Sequence, residues 1–193
     1  DVLPVMGIDY KSCLVISQVL GYMFSKFYGI KFISELKRIG RGKLILLLVG
    51  ISWLSLLIFA IVPAPYNIPL LFINGFPLGL IWGIVFSFAE GRKATDFIGA
   101  ALAVSFIFSS GFVKSVAGFI QTKFHVNEFW LPFVSGLIFF VPLIIFVKLL
   151  EKIPPPSEED KMLRTERTVM TKENRKQTVR SFLPGLIIIT GMY

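Results

Sequence analysis

The stretch LILLLVGISWLSLLIFAIVPAPYNIPLLFINGFPLGLIWGIVFSFA, from Leu44 to Ala89, contains no charged residue. A helix needs roughly 20 apolar residues to cross the ~30 Å hydrocarbon core of a bilayer. This stretch is long enough to cross twice. Between its halves VPAPYN, Val62 to Asn67, supplies prolines and a terminal Asn suited to a turn. In lipid the backbone must satisfy its own hydrogen bonds, which leaves helices and closed barrels. The alternating ten-residue pattern of barrel strands is missing, so the stretch reads as two antiparallel membrane helices.

The same pattern extends in both directions. Five complete spans are expected, at about 12–33, 44–62, 68–89, 97–120 and 129–150, with a further apolar run starting at 182. The fold class is therefore all-α, a polytopic transmembrane helix bundle. Of the 193 residues 54% are hydrophobic, and the mean hydropathy is +0.74. Such a composition is too apolar for an ordinary soluble domain. The single cysteine, Cys13, lies in an apolar run, where it reads as a small buried hydrophobe without a disulfide partner.

The formal charge of +8 is unevenly spread. Residues 34–43 hold Lys37, Arg38, Arg41 and Lys43, residues 90–96 hold Arg92 and Lys93, and residues 151–181 hold eight more cations. The alternate connections hold only Lys11 and Lys123. Fourteen cations against two make the first group cytoplasmic by the positive-inside rule. Residues 1–11 then form an extracytoplasmic loop, and one more helix before Asp1 is expected. Residues 151–181, with Pro154, Pro155 and Pro156 and mixed charge, read as a cytoplasmic central linker carrying at most a short surface helix. Residues 182–193 read as the start of the next membrane helix. Cations beside spans suit anionic lipid headgroups, so the bilayer is the expected partner and nucleic acid is not.

Small residues recur at every fourth position within two spans, as Gly21, Ser25 and Gly29 and as Gly75, Gly79, Gly83 and Ser87. Stripes of this kind let helices approach closely in lipid. Pro77 falls in the middle of its span, where a kink is expected. All twelve acids lie outside the spans, whereas Lys26, Lys31, Lys114 and Lys148 lie within them. Lys31 and Lys148 are near helix ends and can extend to water. Lys26 is deeper and shares a face with Gln18 and Tyr22, while Lys114 shares one with Ser110 and Gln121. Charge inside a membrane is costly and normally faces a water-filled cavity. Gln18, Tyr22, Lys26, Ser110 and Lys114 are therefore the candidate substrate-binding residues. A cavity with lysines and no acids favours a small solute that is an organic or phosphate-bearing anion.

From Gly21 to Lys43 the chain reads GYMFSKFYGIKFISELKRIGRGK. This resembles the cytoplasmic signature of the major facilitator superfamily, G-x-L-[AS]-D-R-x-G-R-[RK], through Gly29, Ser34, Glu35, Arg38, Gly40, Arg41 and Lys43. The SKF at Ser25 to Phe27 is similar to the second helix of organophosphate:phosphate exchangers in that superfamily. The run from Asn74 to Phe97 is similar to an uncharacterised bacterial family of major-facilitator-like membrane proteins. The resemblance implies an amino-terminal six-helix half lacking its first helix, partnered by a carboxy-terminal half of the same chain, in a bacterial cytoplasmic (inner) membrane. It implies a secondary active or facilitative transporter working by alternating access, with the cargo held between the halves. It also makes Glu35, Arg38 and Arg41 cytoplasmic gate residues, with Glu90 and Arg92 in the next loop as their partners.

Two other classes compete with a transporter. A membrane enzyme would need clustered His, Asp, Glu or Cys at one interface. Here His125 stands alone beside Glu128, and the catalytic and phosphate-binding motifs searched for are missing, so no enzyme, metal or cofactor is expected. A non-transporting membrane scaffold or sensor on a transporter-like fold is the alternative, since fold does not dictate activity.

Overall fold

The computed structural model describes residues 7–34, 40–163 and 171–191. Among these residues seven helices follow one another, α1 (Tyr10–Ser34), α2 (Arg41–Ile61), α3 (Ile68–Ala89), α4 (Thr95–Phe124), α5 (Leu131–Glu151), α6 (Glu158–Leu163) and α7 (Lys172–Gly191). The chain is all-helical over the described residues. Four helices, α2 to α5, are long and apolar enough to cross a membrane.

Two helices differ in composition or extent from the expected spans. The span expected at 12–33 is a helix of sufficient length, but Ser12, Ser17, Gln18, Ser25 and Lys26 leave α1 less apolar than the other four. The helix expected to begin at 182 begins ten residues earlier, at Lys172, because KENRKQTVRS is itself a good helix-forming run.

α3 is the centre of the bundle. α1 packs along it most extensively, α2 packs on its other side, α5 lies against α2, and α4 touches α5 and, more lightly, α3. Ile45 and Leu48 of α2, Leu80, Ile84 and Phe88 of α3, and Val147 of α5 form the buried apolar core. Little water-driven force separates apolar helices from lipid tails, so close packing must hold them. Between α1 and α3 the glycines provide it. A Cβ at Gly21 would meet the backbone of Phe72, and one at Gly75 the backbone of Gln18, in both cases nearer than real Cβ atoms come. Gly79 takes the side chain of Ser25, which is fully buried. Between α2 and α5 an aromatic contact does the same work. Trp53 stacks on Phe133 at 4.8 Å and Phe140 at 5.3 Å, lies over Gly136, and donates its indole N–H to the Phe133 carbonyl at 3.0 Å.

The connections gather at two ends. At one, Tyr10 donates to Asn67 Oδ1 at 2.7 Å, Lys11 meets Glu128 at 3.1 Å, and Phe129 packs near Tyr10 and Phe59. This end joins the start of α1 to the α2–α3 and α4–α5 turns. At the other, the Glu151 side chain lies on Gly42, and the α3–α4 turn holds the segment after α5. The connections therefore sort spatially into the cation-poor set and the cation-rich set.

Candidate functional site

Helical spacing puts Gln18, Tyr22 and Lys26 on one face of α1, and α3 passes beside that face. Gln18 and Tyr22 line a cavity of about 480 Å³ with Gly75, Leu78 and Trp82 of α3 and Leu102 and Phe106 of α4. Lys26 lines a second cavity, of about 270 Å³, with Gly79, Trp82 and Phe86 of α3 and with Glu90, which follows it. Trp82 is in the wall of both.

The Lys26 ammonium stands 4.6 Å from the centre of the Tyr22 ring and 5.7 Å from that of Trp82. Ring faces carry partial negative charge and attract a cation where water is scarce. Lys26 forms no ion pair with an acid among the described residues. Trp82 is itself stacked on Phe86 at 5.2 Å, with the planes 7° apart. Three rings and one ammonium thus form a continuous surface along α1 and α3.

Gln18 also reaches a polar cluster for which no role was read in the sequence. Its Nε2 donates to Asn74 Oδ1 at 2.7 Å. Asn74 Nδ2 donates to the Ser52 carbonyl at 2.9 Å and to Ser52 Oγ at 2.7 Å. Ser55 Oγ donates back to the Ser52 carbonyl at 2.6 Å. Asn74, Ser52 and Ser55 are all buried. The cluster ties α1, α2 and α3 together in mid-span, where an unpaired amide would be costly. A lone Asn between apolar residues is the sequence signal that could have shown it.

Ser110 and Lys114 are placed differently. Both are exposed on α4, and neither lines any of the five cavities described. Ser110 turns its hydroxyl onto its own helix, donating to the Ile107 carbonyl at 3.1 Å. They share no described cavity with Gln18, Tyr22 and Lys26.

Of the gate residues, Glu35 and Arg38 lie outside the described residues. Arg41 Nη1 donates to the Ser87 carbonyl at 3.2 Å, with its guanidinium 5.8 Å from the Phe88 ring centre. Arg92 Nε donates to the Phe88 carbonyl at 3.1 Å, and its Nη2 to the Pro154 carbonyl. Both arginines thus meet carbonyls in the last turn of α3, where helix carbonyls lack intrahelical partners and the helix dipole is negative. Glu90 follows directly, at the rim of the Lys26 cavity.

The neighbouring α3–α4 turn carries a second attachment. The Lys93 backbone N–H donates to Asp160 Oδ1 at 2.8 Å, while Ser157 N–H and Oγ–H donate to Asp160 Oδ2 at 2.9 and 3.0 Å. These donors hold the Asp160 carboxyl below the usual carboxylate range, the Lys93 amide contributing most. Among the described residues, no three of His, Cys, Asp and Glu converge as a metal site would require.

A family model described as "Family of unknown function (DUF5690)" matches residues 1–193. No curated protein and no solved structure matches the chain.

Proposed function

We propose, for a chain that belongs to the DUF5690 family of unknown function, that it forms part of a membrane transporter which moves a small organic or phosphate-bearing anion by alternating access. The observation that carries this reading is Lys26. An exposed lysine that lines a cavity beside α3 and lies against ring faces offers a positive charge to whatever enters. Gln18 and Tyr22 extend the same helix face into the neighbouring cavity, giving a solute a polar contact beyond the charge.

Within this reading the arrangement is a major-facilitator-type half, and the cation-rich end is the cytoplasmic gate. Arg41 and Arg92 bond to carbonyls at the end of α3, and Glu90 lines the Lys26 cavity. A second half would complete the solute site and rock against this one. The protein would then reside in a bacterial cytoplasmic membrane and act without chemistry on its cargo.

Counterflow in proteoliposomes containing the full-length protein tests the proposal. Loading with a mixture of organic anions should support exchange, Lys26→Gln should reduce it tenfold or more, and Lys114→Gln should have the smaller effect because Lys114 lines none of these cavities. Undiminished exchange in Lys26→Gln would remove Lys26 from the mechanism.

A further inference from the structure

Trp82 lines both cavities beside α1, one holding Gln18 and Tyr22 and the other Lys26. A molecule bound to the Lys26 ammonium in the smaller cavity therefore meets the Trp82 indole next, and the same indole walls the larger one. The larger cavity is otherwise walled by Leu78, Ile81, Val85, Leu102 and Phe106, which offer no hydrogen bonds. A sugar or polyol body would leave its hydroxyls unpaired there, which disfavours it strongly. A flat ring has the opposite balance. It can stack on an indole face, as Phe86 already does at 5.2 Å. One polar group remains at the far side. With its Nε2 given to Asn74, Gln18 retains a side-chain oxygen able to accept a hydrogen bond.

Resting on the transport reading above, we infer that Trp82 is the specificity-determining residue of this site and selects organic anions with a planar aromatic body. The carboxylate or phosphate group goes to Lys26 and the ring to Trp82, with Gln18 accepting from a ring hydroxyl or amine where the solute has one. Lys26 then exchanges part of its contact with the rings for the incoming anion. Glu90 lines the same cavity as Lys26. Inorganic phosphate, which has no ring, is a poor ligand on this assignment.

The test is equilibrium binding to the full-length protein in nanodiscs, using benzoate, cyclohexanecarboxylate and inorganic phosphate as probes, followed by counterflow of labelled benzoate in proteoliposomes. Benzoate is expected to bind at least tenfold more tightly than cyclohexanecarboxylate, which has the same charge and nearly the same bulk. Trp82→Leu should reduce that preference below threefold, and Trp82→Phe should keep most of it. Lys26→Gln should weaken both carboxylates tenfold or more. Equal affinity for the two carboxylates, or a preference that survives in Trp82→Leu, overturns the assignment to Trp82 while anion exchange can still stand. Ring-selective binding without counterflow overturns the transport reading and leaves the site. Absence of binding by all three probes overturns both.

Discussion

Asn74 is the residue on which most of the buried polar chemistry converges. It accepts from Gln18 and donates twice to Ser52, so one side chain joins three helices. Removing it leaves both partners short of a hydrogen bond in a dry setting. Asn74→Ala should lower stability by about 1–2 kcal/mol, the upper range for polar contacts between membrane helices, as measured by unfolding in mixed micelles. The glycines give a sharper contrast. Gly75→Ala places a methyl against the Gln18 backbone and should cost about 1–3 kcal/mol, whereas Gly50→Ala has open space and should gain about 0.5–1 kcal/mol from helix propensity. Both variants can be compared in the same unfolding assay. At this scale the sequence was partly legible. The glycine stripes pointed to close approach, because a four-residue repeat of small side chains has few other uses. Asn74 and Trp82 were not legible as functional, since their importance comes from neighbours on other helices that a single row of letters does not show.

α1 and α4 show how an element's composition can mislead in opposite directions. α1 is the least apolar of helices α1 to α5, yet its contact with α3 is the most extensive between any two helices, because polar residues such as Ser17 and Gln18 are turned to α3. α4 carries several hydroxyls but buries little. Ser105, Ser109, Ser115 and Thr122 all donate to carbonyls one turn back, which makes the helix less polar outside than its letters suggest. Pairing Lys114 with Lys26 assumed that both helices face one cavity, and spacing along a helix cannot decide how that helix is rotated. α6 is a six-residue element held by Asp160, and here a pH dependence follows. A carboxyl whose folded pKa is depressed contributes stability above the ordinary Asp range, near pH 4, and loses it as pH falls through the lower folded value. The Lys93 and Ser157 amide resonances should therefore stay fixed from pH 7 to about 5 and shift only under more acidic conditions. In Asp160→Asn they should lack this titration altogether.

For the whole molecule, the run from Leu44 to Ala89 already implied two crossings and an antiparallel pair, and helices α2 and α3 fall on it. Hydrophobic length is a one-dimensional property, so it survives being read from sequence. The order of packing does not, and the central position of α3 emerged only from the contacts. The sorting of the connections into two ends gives a direct test of orientation. On a Cys13→Ser background, a cysteine replacing Lys123 should react with a membrane-impermeant maleimide added to intact cells. A cysteine replacing Lys93 should react only after permeabilisation. Reaction of both from outside would remove the positive-inside assignment. The bonds from Arg92 to Pro154 and from Lys93 to Asp160 also set a length. They moor the chain after α5 to the bundle as far as Asp160. Roughly 30 Å of contour is withdrawn at about 3.3 Å per residue. This small clasp, made of one arginine, one backbone amide and one carboxylate, thus decides at which end of the bundle the chain beyond α5 is held.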